Sequence, residues 1–216
     1  LYLQREDWSA LLGLLPELRK EKTLGDAEMA ELERQAWRGR LGVAGQVAEG
    51  DVGSALATLT QAWQQLSSAQ RQEPELLAVY AEQLRQLGAD DEAEELLRSA
   101  LKRHYDSHLV RLYGLLRGRD PARQLHTAEG WLKEHPRDAG LLLTLGRLCL
   151  LNQLWGKARE YFESSLTFQR HPETCTELAG LLAQQGEVER SNHLFQESLG
   201  LLDQRLSGLP APLPVA

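Results

Sequence analysis

The stretch LLLTLGRLCLLNQLWGKAREYFESSL, residues 141–166, decides the fold of this chain. Its apolar residues recur at helical spacing, but Thr144 and Arg147 interrupt the first half. The apolar run at residues 141–151 is therefore well short of the ~20 residues that a membrane-spanning helix needs. Since the stretch also carries no catalytic motif, it predicts helices that are buried in the core of a folded domain.

The same order of small and bulky residues recurs along the chain. Ala81, Gly114, Gly146 and Ala179 follow one another at intervals of 33, 32 and 33 residues, and a bulky residue precedes each of them. A period of this length is typical of stacked helical hairpins. The pattern resembles the tetratricopeptide repeat, which implies two antiparallel helices in each unit. Small residues at such positions let the two helices approach closely.

The predicted fold is an all-α tetratricopeptide-repeat solenoid of antiparallel helix pairs, about five in number, the first of them truncated. We expect one repeat domain over residues 1–205, followed by a Pro-rich disordered tail at 206–216. The predicted units are 1–25, 26–73, 74–106, 107–137, 138–171 and 172–205. In the less regular second unit, the expected helices are 26–49 and 51–66.

Turn residues divide the predicted helices. A left-handed residue is expected to end the first helix of a pair at three glycines and one asparagine, Gly50, Gly88, Gly186 and Asn152. Proline suits the first turn of a helix, and aspartate suits the N-cap, so helix starts are predicted at Pro74, Pro121 and Pro172, with caps at Asp120 and Asp138. Pro16 is expected to kink or restart the helix predicted over residues 8–20.

The charge of the chain disfavours a nucleic-acid partner. The formal net charge is −7, and 24 basic residues are scattered among 31 acidic ones, whereas phosphate binding requires a cluster of basic residues. Cys149 and Cys175 are too few for a disulfide framework and lie on apolar faces, which favours two buried thiols in a reducing compartment.

No sequence motif predicts a metal site or catalysis. His104 and His108 are the only closely spaced histidines, and a turn is expected between them, so they are at most weak haem-ligand candidates. The glycines Gly39, Gly42 and Gly45 resemble a phosphate loop superficially, but their spacing differs from GxGxxG. Glycines at this spacing favour a helix face against which another backbone packs.

A stack of hairpins offers a groove lined by the first helix of each pair. The predicted groove residues are Glu82, Arg85, Arg111, Leu143, Arg147 and Gln184, together with Ala78, Leu150 and Thr176. Its arginines suit carboxylates, on an acidic peptide or on porphyrin propionates. The alternative interpretation is that each arginine is solvated or paired with a nearby acid.

A longer pattern resembles the HemY family of bacterial protoheme IX biogenesis proteins. It includes residues 124–136, residues 142–150 and the motif LWGKAR at 154–159. The resemblance implies a repeat domain of an inner-membrane protein, with a membrane tether upstream of this sequence. It also implies a role late in haem synthesis. A flavoenzyme that shares the name has a dinucleotide fingerprint, and this sequence lacks one.

The expected function is a non-catalytic scaffold, the soluble part of an inner-membrane protein, that binds proteins of late haem biosynthesis. The two thiols favour the cytoplasmic side. No cofactor is expected, and the alternative function is a module that binds porphyrin or haem directly. Trp131 and Trp155 are expected in the core, although contacts with a partner are the other interpretation.

Overall fold

The computed structural model describes residues 7–22, 24–46 and 51–202, and these residues form α-helices and no strand. A single 3₁₀ turn, Gln70–Gln72, precedes the fourth helix. The eleven helices in the described part are α1 (Trp8–Glu21), α2 (Asp26–Ala44), α3 (Val52–Gln64), α4 (Pro74–Gln86), α5 (Asp90–Arg103), α6 (Ser107–Tyr113), α7 (Pro121–Leu132), α8 (Ala139–Leu151), α9 (Trp155–Phe168), α10 (Pro172–Gln184) and α11 (Val188–Leu202). The all-α prediction is confirmed.

Proline and aspartate mark the helix starts as predicted. α4, α7 and α10 each begin at a proline, whose missing N–H would have no partner in a first turn. The Asp120 carboxylate accepts a hydrogen bond from the Arg123 N–H at 2.9 Å. Asp138 accepts from the N–H groups of Gly140 and Leu141, at 2.7 and 3.1 Å. These carboxylates accept hydrogen bonds from N–H groups of the first helical turn, which have no carbonyl partner within the helix.

The turn between α8 and α9 differs from the prediction. Gly88 and Gly186 have the expected positive φ, +75° and +83°, and Gly50 lies outside the described residues. Asn152 has φ −91°, and it is Gln153, at φ +59°, that adopts the left-handed conformation. The Asn152 side chain is used differently, because its amide donates to the carbonyls of Pro121 at 3.0 Å and Leu148 at 2.8 Å.

The chain divides into two compact units between Arg119 and Asp120. In unit 1, α2 packs against α1, α3 and α4, and α4 packs against α5 and α6. The Trp63 and Tyr80 rings stack with their centroids 4.2 Å apart. Deeper in this core, the Tyr113 hydroxyl of α6 donates to the buried Glu94 carboxylate of α5 at 2.7 Å.

In unit 2, α8 packs against α7 and α9, and α10 packs against α9 and α11. The α8–α9 hairpin is closed by Gly146 and Phe162, as the repeat pattern predicted. Phe162 is fully buried, and a Cβ added at Gly146 would lie 2.3 Å from its ring. Only a glycine lets α9 come this close to α8, and the fully buried Ala158 lies one turn before Phe162.

Three details of the first helices depart from the prediction. α1 runs through Pro16 without restarting, with the proline on its exposed side. α2 ends at Ala44, and not at residue 49. The glycines at 39 and 45 face the side chains of Trp8 and Gln83 and not a neighbouring backbone, while Gly42 faces open space.

Candidate interaction surface

A cleft of 450 Å³ is bordered by α2, α4 and α6, each the first helix of its helix pair. α4 packs against both α2 and α6. Pro74, Ala78 and Val79 of α4 provide its apolar part, and the polar part is Arg38, Glu75, Asp106 and His108. Ala78 is a predicted groove residue, but Glu82, Arg85 and Arg111, the other predicted groove residues of unit 1, do not line this cleft. We call the seven lining residues the α4 cleft.

One ion pair in the α4 cleft joins neighbouring helices. Arg38 Nη1 of α2 donates to Glu75 Oε2 of α4 at 3.2 Å, and both side chains are about half exposed, at 52% and 55%. Asp106 caps α6 by accepting from the Leu109 N–H at 2.9 Å. Because a guanidinium has five N–H donors, the bond to Glu75 leaves Arg38 able to bind another acceptor.

Glu82 and Arg85 lie further along α4 and bind each other. Arg85 donates through Nε and Nη2 to the two oxygens of Glu82, at 2.9 and 2.7 Å. These hydrogen bonds lower the pKa of the Glu82 carboxyl and raise the pKa of the Arg85 guanidinium. The third predicted residue of unit 1, Arg111, is half-buried on α6. For Arg85, the structure therefore agrees with the alternative interpretation, pairing with a nearby acid.

The predicted groove residues of unit 2 differ in how far their side chains are exposed. Leu143 is 0% exposed, so its assignment to a groove is wrong, because α8 is packed on more than one side and this position faces the core. Arg147 Nε donates to Glu177 Oε1 of α10 at 2.9 Å, and the arginine side chain is only 11% exposed. Gln184 is exposed near the end of α10.

His104 and His108 line different clefts. His108 belongs to the α4 cleft, whereas His104 borders a 260 Å³ cleft beside Leu77, Arg103 and Leu109. Both histidines are exposed. Over residues 7–22, 24–46 and 51–202, no group of three or more His, Cys, Asp and Glu side chains is placed to hold a metal ion.

Trp155 lies on the surface, which corrects its predicted place in the core. It is 48% exposed at the start of α9, next to Leu154 at 41% exposure, whereas Trp131 is half-buried. Val188, displaced from Trp155 by one repeat of 33 residues, is 57% exposed at the start of α11. The equivalent positions at the starts of α9 and α11 are therefore both on the surface, although both carry apolar side chains that gave no signal of this in the sequence.

The two cysteines are free and fully buried. Burial raises the pKa of the Cys149 thiol to about 11 and also raises the pKa of Cys175. A thiol of such high pKa is protonated at neutral pH and is a poor nucleophile. The prediction of two buried thiols is confirmed.

Comparison with known proteins identifies the repeat. The family model of the tetratricopeptide repeat matches residues 46–116. Residues 46–116 are therefore similar to the tetratricopeptide repeat. A tetratricopeptide-repeat protein of Thermus thermophilus, known from its crystal structure, is 22% identical, with a TM-score of 0.55 over 81% of this chain and 95% of that one. The structure of MamA is 14% identical, with a TM-score of 0.47 over 84% and 99% of the two chains.

The chain is also similar to the HemY protein of Escherichia coli K12. The two are 28% identical over 169 residues, which is 76% of this chain and 40% of the relative, so the chain spans less than half the length of that protein. HemY of Shigella flexneri matches to the same extent. The predicted resemblance to HemY is confirmed. Among the described residues, no helix is long and apolar enough to cross a membrane.

Proposed function

We propose that this chain is a non-catalytic scaffold that binds proteins of late haem biosynthesis through the α4 cleft. The similarity to HemY supports the pathway, and the tetratricopeptide-repeat fold supports the binding role. The observation that carries the proposal is the cleft itself, which α2, α4 and α6 of unit 1 border. Repeat stacks commonly use surfaces of this kind to bind partners.

The chemistry of the cleft suits a peptide segment of a partner protein. Small apolar side chains of α4 offer contact area without blocking the approach of a backbone. Arg38 and His108 can donate hydrogen bonds to a bound chain, and Glu75 and Asp106 can accept them. A mixture of apolar contacts at the centre and polar groups at the edge is typical of protein interfaces.

The scaffold proposal is tested by cross-linking the full-length protein in its native membrane and identifying the captured proteins. Val79→Glu introduces a charge into the cleft without breaking an ion pair, and it is expected to abolish capture of the late haem enzymes. Val43→Glu is the matched control, because Val43 is 51% exposed on α2 and does not line the cleft. Both variants should keep the helical signal of the parent in circular dichroism.

Two results would contradict different parts of this proposal. Undiminished capture by Val79→Glu would remove the α4 cleft as the binding surface. Failure of the parent protein to capture any late haem enzyme would remove the pathway, whatever the variants do.

A second candidate function, direct binding of porphyrin or haem, is favoured by one observation. Arg38 and His108 line the same cleft, where an arginine can bind a propionate and a histidine can coordinate iron. The carboxylates of Glu75 and Asp106 line the same cleft and would repel the negatively charged propionates. Haem titration followed at the Soret band tests this function, with His108→Ala as the variant and the exposed His126→Ala as control. No shift at micromolar haem would exclude it.

We further propose that this domain belongs to a protein tethered to the bacterial inner membrane and lies on its cytoplasmic side. The similarity to HemY supports the membrane, and two free buried thiols suit a reducing compartment. Protease treatment of spheroplasts that carry the full-length protein tests the side. Digestion of this domain in intact spheroplasts would place it on the outer side instead.

A further inference from the structure

A second cleft of unit 1 adjoins the α4 cleft and shares two of its residues. Both clefts are lined by Pro74, the first residue of α4, and by Asp106, the N-cap of α6. The second cleft has a volume of 260 Å³, and its other lining residues, from the start of α4, the end of α5 and the start of α6, are Gln72, Leu77, Ala100, Arg103, His104 and Leu109. We call it the Arg103 cleft.

The two residues that border both clefts are held by local structure. The ring of Pro74 fixes its backbone φ in the first turn of α4. The Asp106 carboxylate accepts a hydrogen bond from the Leu109 N–H at 2.9 Å, which ties it to the first turn of α6. Because neither arrangement depends on a ligand, a chain that binds in the α4 cleft can continue past these residues into the Arg103 cleft.

The base of the Arg103 cleft is apolar. Leu77, Ala100 and Leu109 are 3%, 6% and 2% exposed, so what remains accessible of them faces a confined space. The volume of the cleft lies below the roughly 300–1,000 Å³ of sites that enclose small molecules. The cleft therefore suits a single large apolar side chain and is too small for a porphyrin.

The polar edge of this cleft differs from that of the α4 cleft. Arg38 of the α4 cleft is paired with Glu75, whereas Arg103 is exposed and forms no ion pair with any residue in the described parts of the chain. Among the lining residues, the one carboxylate is Asp106, which already caps α6. Arg103 therefore keeps its guanidinium donors available, and a guanidinium binds carboxylates best.

We propose that the partner segment bound in the α4 cleft continues into the Arg103 cleft, where it places a large apolar side chain and, beside it, an acidic residue that pairs with Arg103. The proposal rests on the proposed function and adds the chemistry of the partner to it. The apolar residue fills the space over Leu77 and Leu109, and the acidic residue meets the unpaired charge at the edge.

Selection of random peptides displayed to the full chain tests this pairing. The selected peptides are expected to share a large apolar residue beside aspartate or glutamate. Arg103→Glu should weaken the binding of such a peptide about tenfold in fluorescence anisotropy, because it brings like charges together. Lys102→Glu is the matched control, since Lys102 is exposed on the same turn of α5 and lines neither cleft, and it should change Kd by less than about threefold.

A charge exchange separates pairing from a structural effect of the substitution. A peptide with lysine in place of its acidic residue should bind Arg103→Glu more tightly than the original peptide does, which a loss of structure would not produce.

The Val79→Glu variant separates failure of this inference from failure of the proposed function. Equal Kd values for the parent and Arg103→Glu, with binding abolished by Val79→Glu, would overturn the inference and leave the α4 cleft as the binding surface. Unchanged binding by Val79→Glu would remove the α4 cleft, and with it the path into the Arg103 cleft. Selected peptides with no preference for an acidic residue would equally overturn the inference.

Discussion

Gly146→Ala is predicted to destabilise unit 2, although alanine favours a helix more than glycine does. The added Cβ would lie 2.3 Å from Phe162 Cε1 and 2.4 Å from Cδ1, and the ring is fully buried, so it cannot move aside into solvent. Overpacking of this kind costs about 1–3 kcal/mol, and the higher helix propensity of alanine returns about 1 kcal/mol. We therefore expect a net loss of up to about 2 kcal/mol in the free energy of unfolding.

Urea unfolding measures this loss, and Gly180→Ala is its matched control. Gly180 lies inside α10, and an added Cβ would meet nothing within 4 Å, so this variant should gain up to about 1 kcal/mol. Phe162→Leu in the Gly146→Ala background should recover part of the loss, because the smaller side chain makes room for the Cβ. Equal stabilisation by Gly146→Ala and Gly180→Ala would refute the argument that glycine is required for the close approach of α8 and α9.

Three further predictions concern two ion-paired side chains and one exposed ring. Arg147→Gln should lower the free energy of unfolding by about 1–3 kcal/mol, because it leaves the partly buried Glu177 without its ion pair; a loss under about 0.5 kcal/mol in urea unfolding would contradict this. Trp155→Ala should change the same quantity by less than about 1 kcal/mol, since the ring is half exposed, and a larger loss would mean that the ring is packed. The pKa of Glu187 is lowered by hydrogen bonds from Arg159 and then Arg190, so its stabilising effect is present above the usual carboxyl pKa of ~4.3 and is lost as pH falls below it. Tm measured down to about pH 3 should therefore fall less for Glu187→Gln than for the parent, and equal falls would exclude this contribution.

The fold could be predicted because the repeat pattern reflects how neighbouring helices pack against each other. A small residue at 146 and a ring at 162 have to occur together for two helices to approach closely, so their spacing carries structural information. Proline and aspartate at helix starts act within one turn of the chain, so these local effects are also readable in the sequence.

The side chains of the candidate surface were harder to predict because their surroundings come from other helices. Leu143 flanks the main apolar stripe of its helix, and it is buried because α8 is packed on more than one side. The partner of Arg147 lies 30 residues away on α10. Gln153 takes a left-handed conformation that glycine ordinarily fills, so no local signal distinguished it from Asn152.

The bond between Tyr113 and Glu94 constrains how this sequence can diverge. Glu94 is 7% exposed, and the phenol that donates to its carboxylate is wholly enclosed, so losing the hydroxyl alone removes a buried donor and leaves the carboxylate with Arg98 Nε at 3.2 Å. A chain that replaces the tyrosine with phenylalanine would gain from replacing the glutamate with an uncharged residue as well. Among related sequences, we expect these two positions to vary as a pair.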